Sequence, residues 1–213
     1  MHLSQDLAMD FFRMGLVFVH LIACCIAVGL VLKSDFTLLK GMLGESRTSD
    51  PAHLRDMKDL QSTVGDALIV LWATGIGLVT FDAALKDGGW QYFENPKIQT
   101  KIVIVSLLTL NGLVLHNLVL PWLEKAGSVL RLSFSKGVLA TFAGTVSGVS
   151  WLYAAMLGIG RPLSWKFPID ELMAPYPVLI AGGFMFMTAL LMWCKYRPFA
   201  SPAGLEPAFN RAA

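Results

Sequence analysis

Long apolar runs alternate along the chain with short polar stretches, and the runs have the length of helices that cross a bilayer. They cover residues 14–32, 65–85, 101–123, 137–158 and 177–194. A hydrocarbon slab about 30 Å thick is spanned by about 20 helical residues. An isolated strand would leave its backbone unpaired in lipid, so each run is expected to be a helix. The pattern predicts an all-α fold: a polytopic membrane helical bundle with five transmembrane helices, in a single domain over residues 1–213.

The polar stretches supply the punctuation. MHLSQDLAMDFFR is a polar, amphipathic lead-in, and the first helical pattern continues past its apolar run through Lys33, Asp35 and Lys40, where charges snorkel or meet partners. The segment LIAC, ending at Cys24, resembles a lipoprotein cleavage signal, but Asp6 and Asp10 stand ahead of it in place of a basic cluster, so an uncleaved helix is expected. Residues 41–64 predict a surface loop with a short helix beginning after Asp50 and Pro51. Asp66 and Asp82 lie near the two ends of the second run, and LKDGGWQYFENPK then brings a Gly-Gly turn and the interfacial aromatics Trp90, Tyr92 and Phe93. Pro121 predicts a kink or stop near the end of the third run. Ser201 to Ala213 reads as a short flexible end.

Composition narrows the class. The chain is 55% hydrophobic and 15% charged, with a mean hydropathy of +0.59, too apolar for a water-soluble domain, in which about a quarter of residues are charged. Its partners are therefore the lipid bilayer and other membrane subunits or copies of itself. A net charge of +2 gives no footprint for nucleic acid. Three cysteines, two of them adjacent in an apolar run, make no disulfide framework. Arg13, Lys86, Lys97, Lys101, Arg161 and Lys166 fall on the side of the amino terminus, against the remaining eleven of seventeen basic residues on the other. That bias predicts an amino terminus outside and a carboxyl terminus in the cytoplasm.

Candidate chemistry lies in the polar groups carried at membrane depth. The third run, KIVIVSLLTLNGLVLHNLVLPW, holds Lys101, Ser106, Thr109, Asn111 and His116, and with Lys101 at zero, His116, Thr109 and Asn111 fall near about 60°, 80° and 280°. That broad sector predicts a helix inside the bundle. In the fourth run Ala140, Gly144 and Gly148 recur every four residues among Thr141, Thr145, Ser147 and Ser150, which predicts a packing ridge, with a substrate-lining stripe as the alternative. Trp151 is expected to anchor that packing; its other reading is a cap over a cofactor. His2 and His53 sit in polar segments and are expected to be solvated. His20 and His116 lie within spans, where an imidazole is a metal or haem ligand, a proton carrier, or a neutral ring bonded to the next helix. Cys24 and Cys25 beside His20 make a soft set suited to copper, or simply small packing residues. With both helices running inward, the two histidines fall roughly 9 Å apart in depth, which disfavours one haem between them and pairs Lys101 with His20 instead.

The segments FVHLIACCIAVGLVLKSDFTLLK, NPKIQTKIVIVSLLTLNGLVLH and GTVSGVSWLYAAMLG resemble a group of bacterial inner-membrane proteins that carries no settled activity. The matching positions are His20 and Asp35; Asn95, Pro96, Lys97 and Lys101; Asn111 and Gly112; Ser150 and Trp151. A weaker similarity runs to HemJ-type protoporphyrinogen oxidases and CopD-type copper-resistance proteins. HemJ-type enzymes use a first-helix histidine and a basic residue at the start of the third helix with a b-type haem, and His20 and Lys101 match in position. Gln99 stands where that pattern usually has a further histidine, and no methionine or histidine cluster of the CopD kind is present.

The resemblance implies a haem b protein acting in electron or proton transfer, with His20, His116, Lys101 and Asn111 as cofactor-binding candidates, His20 and His116 as metal ligands, and Asp35 and Asp82 relaying protons or neutralising lysines. A non-catalytic subunit of a larger membrane complex and a small-solute or metal permease are the alternatives.

Overall fold

The computed structural model describes residues 2–43, 51–85, 89–160, 163 and 165–196, with side chains from residue 7 in the first helix and residue 58 in the second. The side chains of His2 and His53 and the segment Ser201 to Ala213 lie outside the described residues. In chain order the elements are α1 (His2–Leu43), α2 (Pro51–Leu85), a 3₁₀ turn (Gly89–Glu94), α3 (Pro96–Val114), a π-helical turn (Leu115–Val119), α4 (Leu120–Ala126), a second 3₁₀ turn (Val129–Arg131), α5 (Phe134–Ile159), α6 (Ile169–Met173) and α7 (Pro175–Tyr196). No strand occurs among the described residues. Five helical stretches are long and apolar enough to cross a membrane: Leu7–Leu43, Lys58–Leu85, Pro96–Ala126, Phe134–Ile159 and Ile169–Tyr196. The protein is an all-α, multi-pass bundle.

Its helices outrun the apolar stretches. α1 has 42 residues, about 60 Å of helix, so Lys33, Asp35 and Lys40 continue the span as helix. α2 starts with Pro51 at its first turn, where the missing N–H is not needed, and runs unbroken to Leu85, taking in the expected short helix and residues 51–64 of the expected surface loop, of which residues 44–50 lie outside the described residues. Polar residues leave the hydrocarbon without breaking a helix; proline and glycine do the breaking. Pro121 neither ends nor sharply divides its span. Its ring has no N–H to give to the preceding turn, and the chain widens into the π-helical turn just before it and continues to Ala126, where Gly127 at φ 72° closes the helix.

α3 begins in the manner its sequence encodes. The Asn95 side chain accepts the Lys97 N–H at 3.1 Å, and Pro96 occupies the first turn. α5 is the hub, packed against α3, α7 and α1, while α1 lies along α2. The expected ridge is partly realised: Ala140 is buried and Gly148 meets α1, but Gly144 faces nothing within 4 Å. The tightest approach between two helices is on α7, where a Cβ on Gly183 would stand 2.9 Å from Thr145 Cγ2. Trp151 is buried with Ala23, Ala27, Leu71 and Leu108, an anchor of packing.

One end of the bundle, the Tyr92 end, is closed by an ion pair. Arg13 Nε and Nη2 donate to Asp82 Oδ1 and Oδ2 at 2.7 and 3.0 Å, and the Tyr92 hydroxyl donates to Oδ2 at 2.9 Å. Asp82 thus neutralises an arginine, and joins α1, α2 and the Gly89–Glu94 turn. Burial, then the bond to Asp82, pushes the Tyr92 phenol up to about 12, with Arg13 opposing. The opposite end, the Met42 end, gathers Met42, Leu191 and Cys194.

A raised phenol in the fold means that the Tyr92 contribution is complete below its ordinary 10.0 and is lost as the pH climbs through about 12. Ultraviolet titration should show a late phenolate that is lost in Tyr92→Phe and comes earlier in Asp82→Asn; an unchanged titration in Asp82→Asn contradicts the bond. Gly183→Val should separate α5 from α7 and cost about 1–3 kcal/mol by overpacking, read as a lower melting temperature in detergent.

Candidate functional site

About 10 Å along α1 from Arg13, toward the Met42 end, the His20 ring lies against α2. Its Nδ1 is 2.8 Å from Thr74 Oγ1, and the Thr74 hydroxyl spends its proton on the Val70 carbonyl at 2.6 Å. Thr74 therefore accepts from His20, which makes Nδ1 the protonated nitrogen and leaves Nε2 of the neutral ring with a bare lone pair. Gly75 makes room for the ring: a Cβ there would touch His20 Cε1 at 3.6 Å. A neutral ring bonded to the hydroxyl of the next helix is one of the readings its place in a span allows, and a histidine that ligates a metal is oriented by a neighbouring acceptor in the same way.

Lys101 comes to the same region from α3. Its ammonium is within Coulombic range of His20 and Cys24, and a Cβ on Gly158 of α5 would stand 3.9 Å from Nζ. Among the described residues no carboxylate pairs with Lys101. Lys97 lies one turn before it and adds a second positive charge to this end of α3. The principal backbone contacts of α3 are with α5, and the gap toward α2 is bridged by long side chains. Trp72 Nε1 donates to Thr109 Oγ1 at 3.1 Å, and Thr109 in turn donates to the Val105 carbonyl. His20, Cys24, Lys101 and the Gly158 backbone thus come together in one region of the bundle.

The other candidates fall elsewhere. Asn111 donates from Nδ2 to the Ala143 carbonyl at 2.9 Å, tying α3 to α5. His116 is exposed, in the π-helical turn ahead of Pro121. Its neighbour Leu115 packs with Ala140 and Ala143, one turn from Gly137, which touches Leu191 at the Met42 end. Counting along α1 from His20 to that level gives a depth difference on the order of 25 Å, wider than the sequence spacing implied. His20 and His116 do not share a site. Cys24 is half-buried and Cys25 exposed, and no group of three metal-ligating side chains occurs among the described residues. The concavity lined by Phe36, Leu39, Lys40 and Leu43 lies near the Met42 end, far from His20.

Thr74 was not legible as a site residue. A single threonine within LWATGIG shows nothing until α2 is laid against α1. Tyr92 was legible only as an interfacial aromatic. Comparison with protein-family models, curated proteins and solved structures finds no match for this chain.

Proposed function

We propose that the bundle binds an anionic redox or proton-carrying group between His20 and Lys101, with haem b as the group best suited to this donor set. The observation that carries the reading is the 2.8 Å contact between His20 Nδ1 and a Thr74 hydroxyl that donates to the Val70 carbonyl, a geometry that turns Nε2 into the electron-pair donor within a membrane span. Haem, when bound, supplies one-electron transfer. His20 would donate to the iron, Thr74 would hold the ring's orientation and basicity, and Lys101 would pair with a propionate. The similarity to HemJ-type proteins supports a histidine and a basic residue in these two helices; Gln99 gives no reason to carry over the oxidase reaction. The site of action would be the bacterial inner (cytoplasmic) membrane, with the amino terminus outside.

Protein purified in mild detergent should show a Soret band that shifts on dithionite reduction and is absent from His20→Ala. Thr74→Val, which keeps shape and removes the acceptor, should weaken haem retention by about 10–100-fold in a competition with apomyoglobin. Colourless protein without iron overturns the reading and returns the choice to an accessory subunit, tested by co-purification, or a permease, tested by uptake in vesicles.

A further inference from the structure

The α1 face that carries His20 and Cys24 recurs at helical spacing through Val31 to Asp35, about 22 Å from His20 and about 10 Å short of Met42. Asp35 Oδ2 stands 3.1 Å from where a Cβ on Gly148 would be, so the carboxyl rests on the backbone of α5 in space that only glycine leaves. Among the described residues it has neither an ion pair nor a hydrogen-bond donor.

The charges of the neighbouring elements are directed elsewhere. Lys33 and Lys40 on α1 are exposed. α5 presents Gly148 and, two turns on, Thr141 on the same face. α7, which meets α1 at Met42, carries Lys195, whose ammonium donates to the Leu132 carbonyl, and Thr188, whose buried hydroxyl has no partner among the described residues. On α2, Lys58 pairs with Glu124 at 2.6 Å and Asp66 is exposed. A carboxylate in a span with no cation and no donor is expensive to keep charged, and a proton is the smallest ligand that removes the charge without needing a cavity.

We propose that Asp35 is a proton-exchange site in the half of the bundle nearer the Met42 end, separate from the His20 site and served by water at that end. An O–H bond forms on the Asp35 carboxylate as one breaks in hydronium, leaving water, and no electrons move. Lys33 and Lys40 are exposed on either side of Asp35, and ammonium groups bordering a span snorkel to the water interface.

Infrared difference spectra between about pH 5 and about pH 9, bracketing the range in which a perturbed carboxyl titrates, test this on the full chain in lipid nanodiscs. The wild type should gain a protonated-carboxyl C=O band on acidification. Asp35→Asn, nearly isosteric, should lose that band alone. Gly148→Ala, whose added methyl displaces the carboxyl, should keep the band and move its midpoint. Identical spectra in the wild type and Asp35→Asn overturn the proposal, and so does a midpoint unmoved in Gly148→Ala. The measurement reads the carboxyl and not the cofactor, so a colourless protein would end the haem reading and leave this one standing.

Discussion

Hydrocarbon offers no hydrogen bond, and every polar atom carried into it has to find a partner within the chain. Most of this bundle obeys. Arg13, Asp82 and Tyr92 close one end among themselves. Trp72 reaches Thr109, Asn111 reaches the Ala143 carbonyl, and the Tyr176 hydroxyl donates to Ser150, whose own proton goes to the Val146 carbonyl. Apart from the Ser150 bond to Val146 within α5, each of these bonds joins two elements, so satisfying the polar groups and holding the helices together are one process. Lys101, Nε2 of His20 and the Asp35 carboxyl are not answered this way among the described residues, and chemistry is sought at those three groups for that reason.

Close packing around α5 creates the room for them. Glycines at the contacts bring its neighbours near: Gly183 of α7 sits on Thr145, and Gly148 admits the Asp35 carboxyl from α1. α3 is drawn to the same hub and so stands off from α2, with Trp72 bridging the interval. Small residues thus act twice, removing space where helices meet and, through Gly75 and Gly158, leaving it beside His20 and Lys101. Had these two positions carried side chains, the imidazole and the ammonium would have faced methyl groups in place of open backbone.

The ion pair at the Tyr92 end has a different character. Asp82 is 5% exposed and receives three donors from two other elements, whereas Arg13 keeps much of its side chain in contact with the surroundings. It is a structural anchor at the level where α1 and α2 leave the apolar slab. It sets the register of α1 against α2, and the pairing of His20 with Thr74 follows from that register, seven and eight residues further along the two helices.

Hydropathy alone determined the fold class and the number of spans, because the cost of bare backbone in lipid leaves little else for five apolar runs of that length to become. It also marked His20 and Lys101, since an ionisable side chain in such a run is rare whatever surrounds it. Where the helices ended was not encoded in apolarity: Lys40 and the residues after Pro51 are polar yet helical, because leaving the slab costs a helix nothing. The partners of the marked residues belonged to the tertiary structure alone. That Asp82 met Arg13 across the bundle, whether His20 found a hydroxyl or a carbonyl, and how far His116 lay from it depended on helix register and rotation, which no single helix carries in its own sequence.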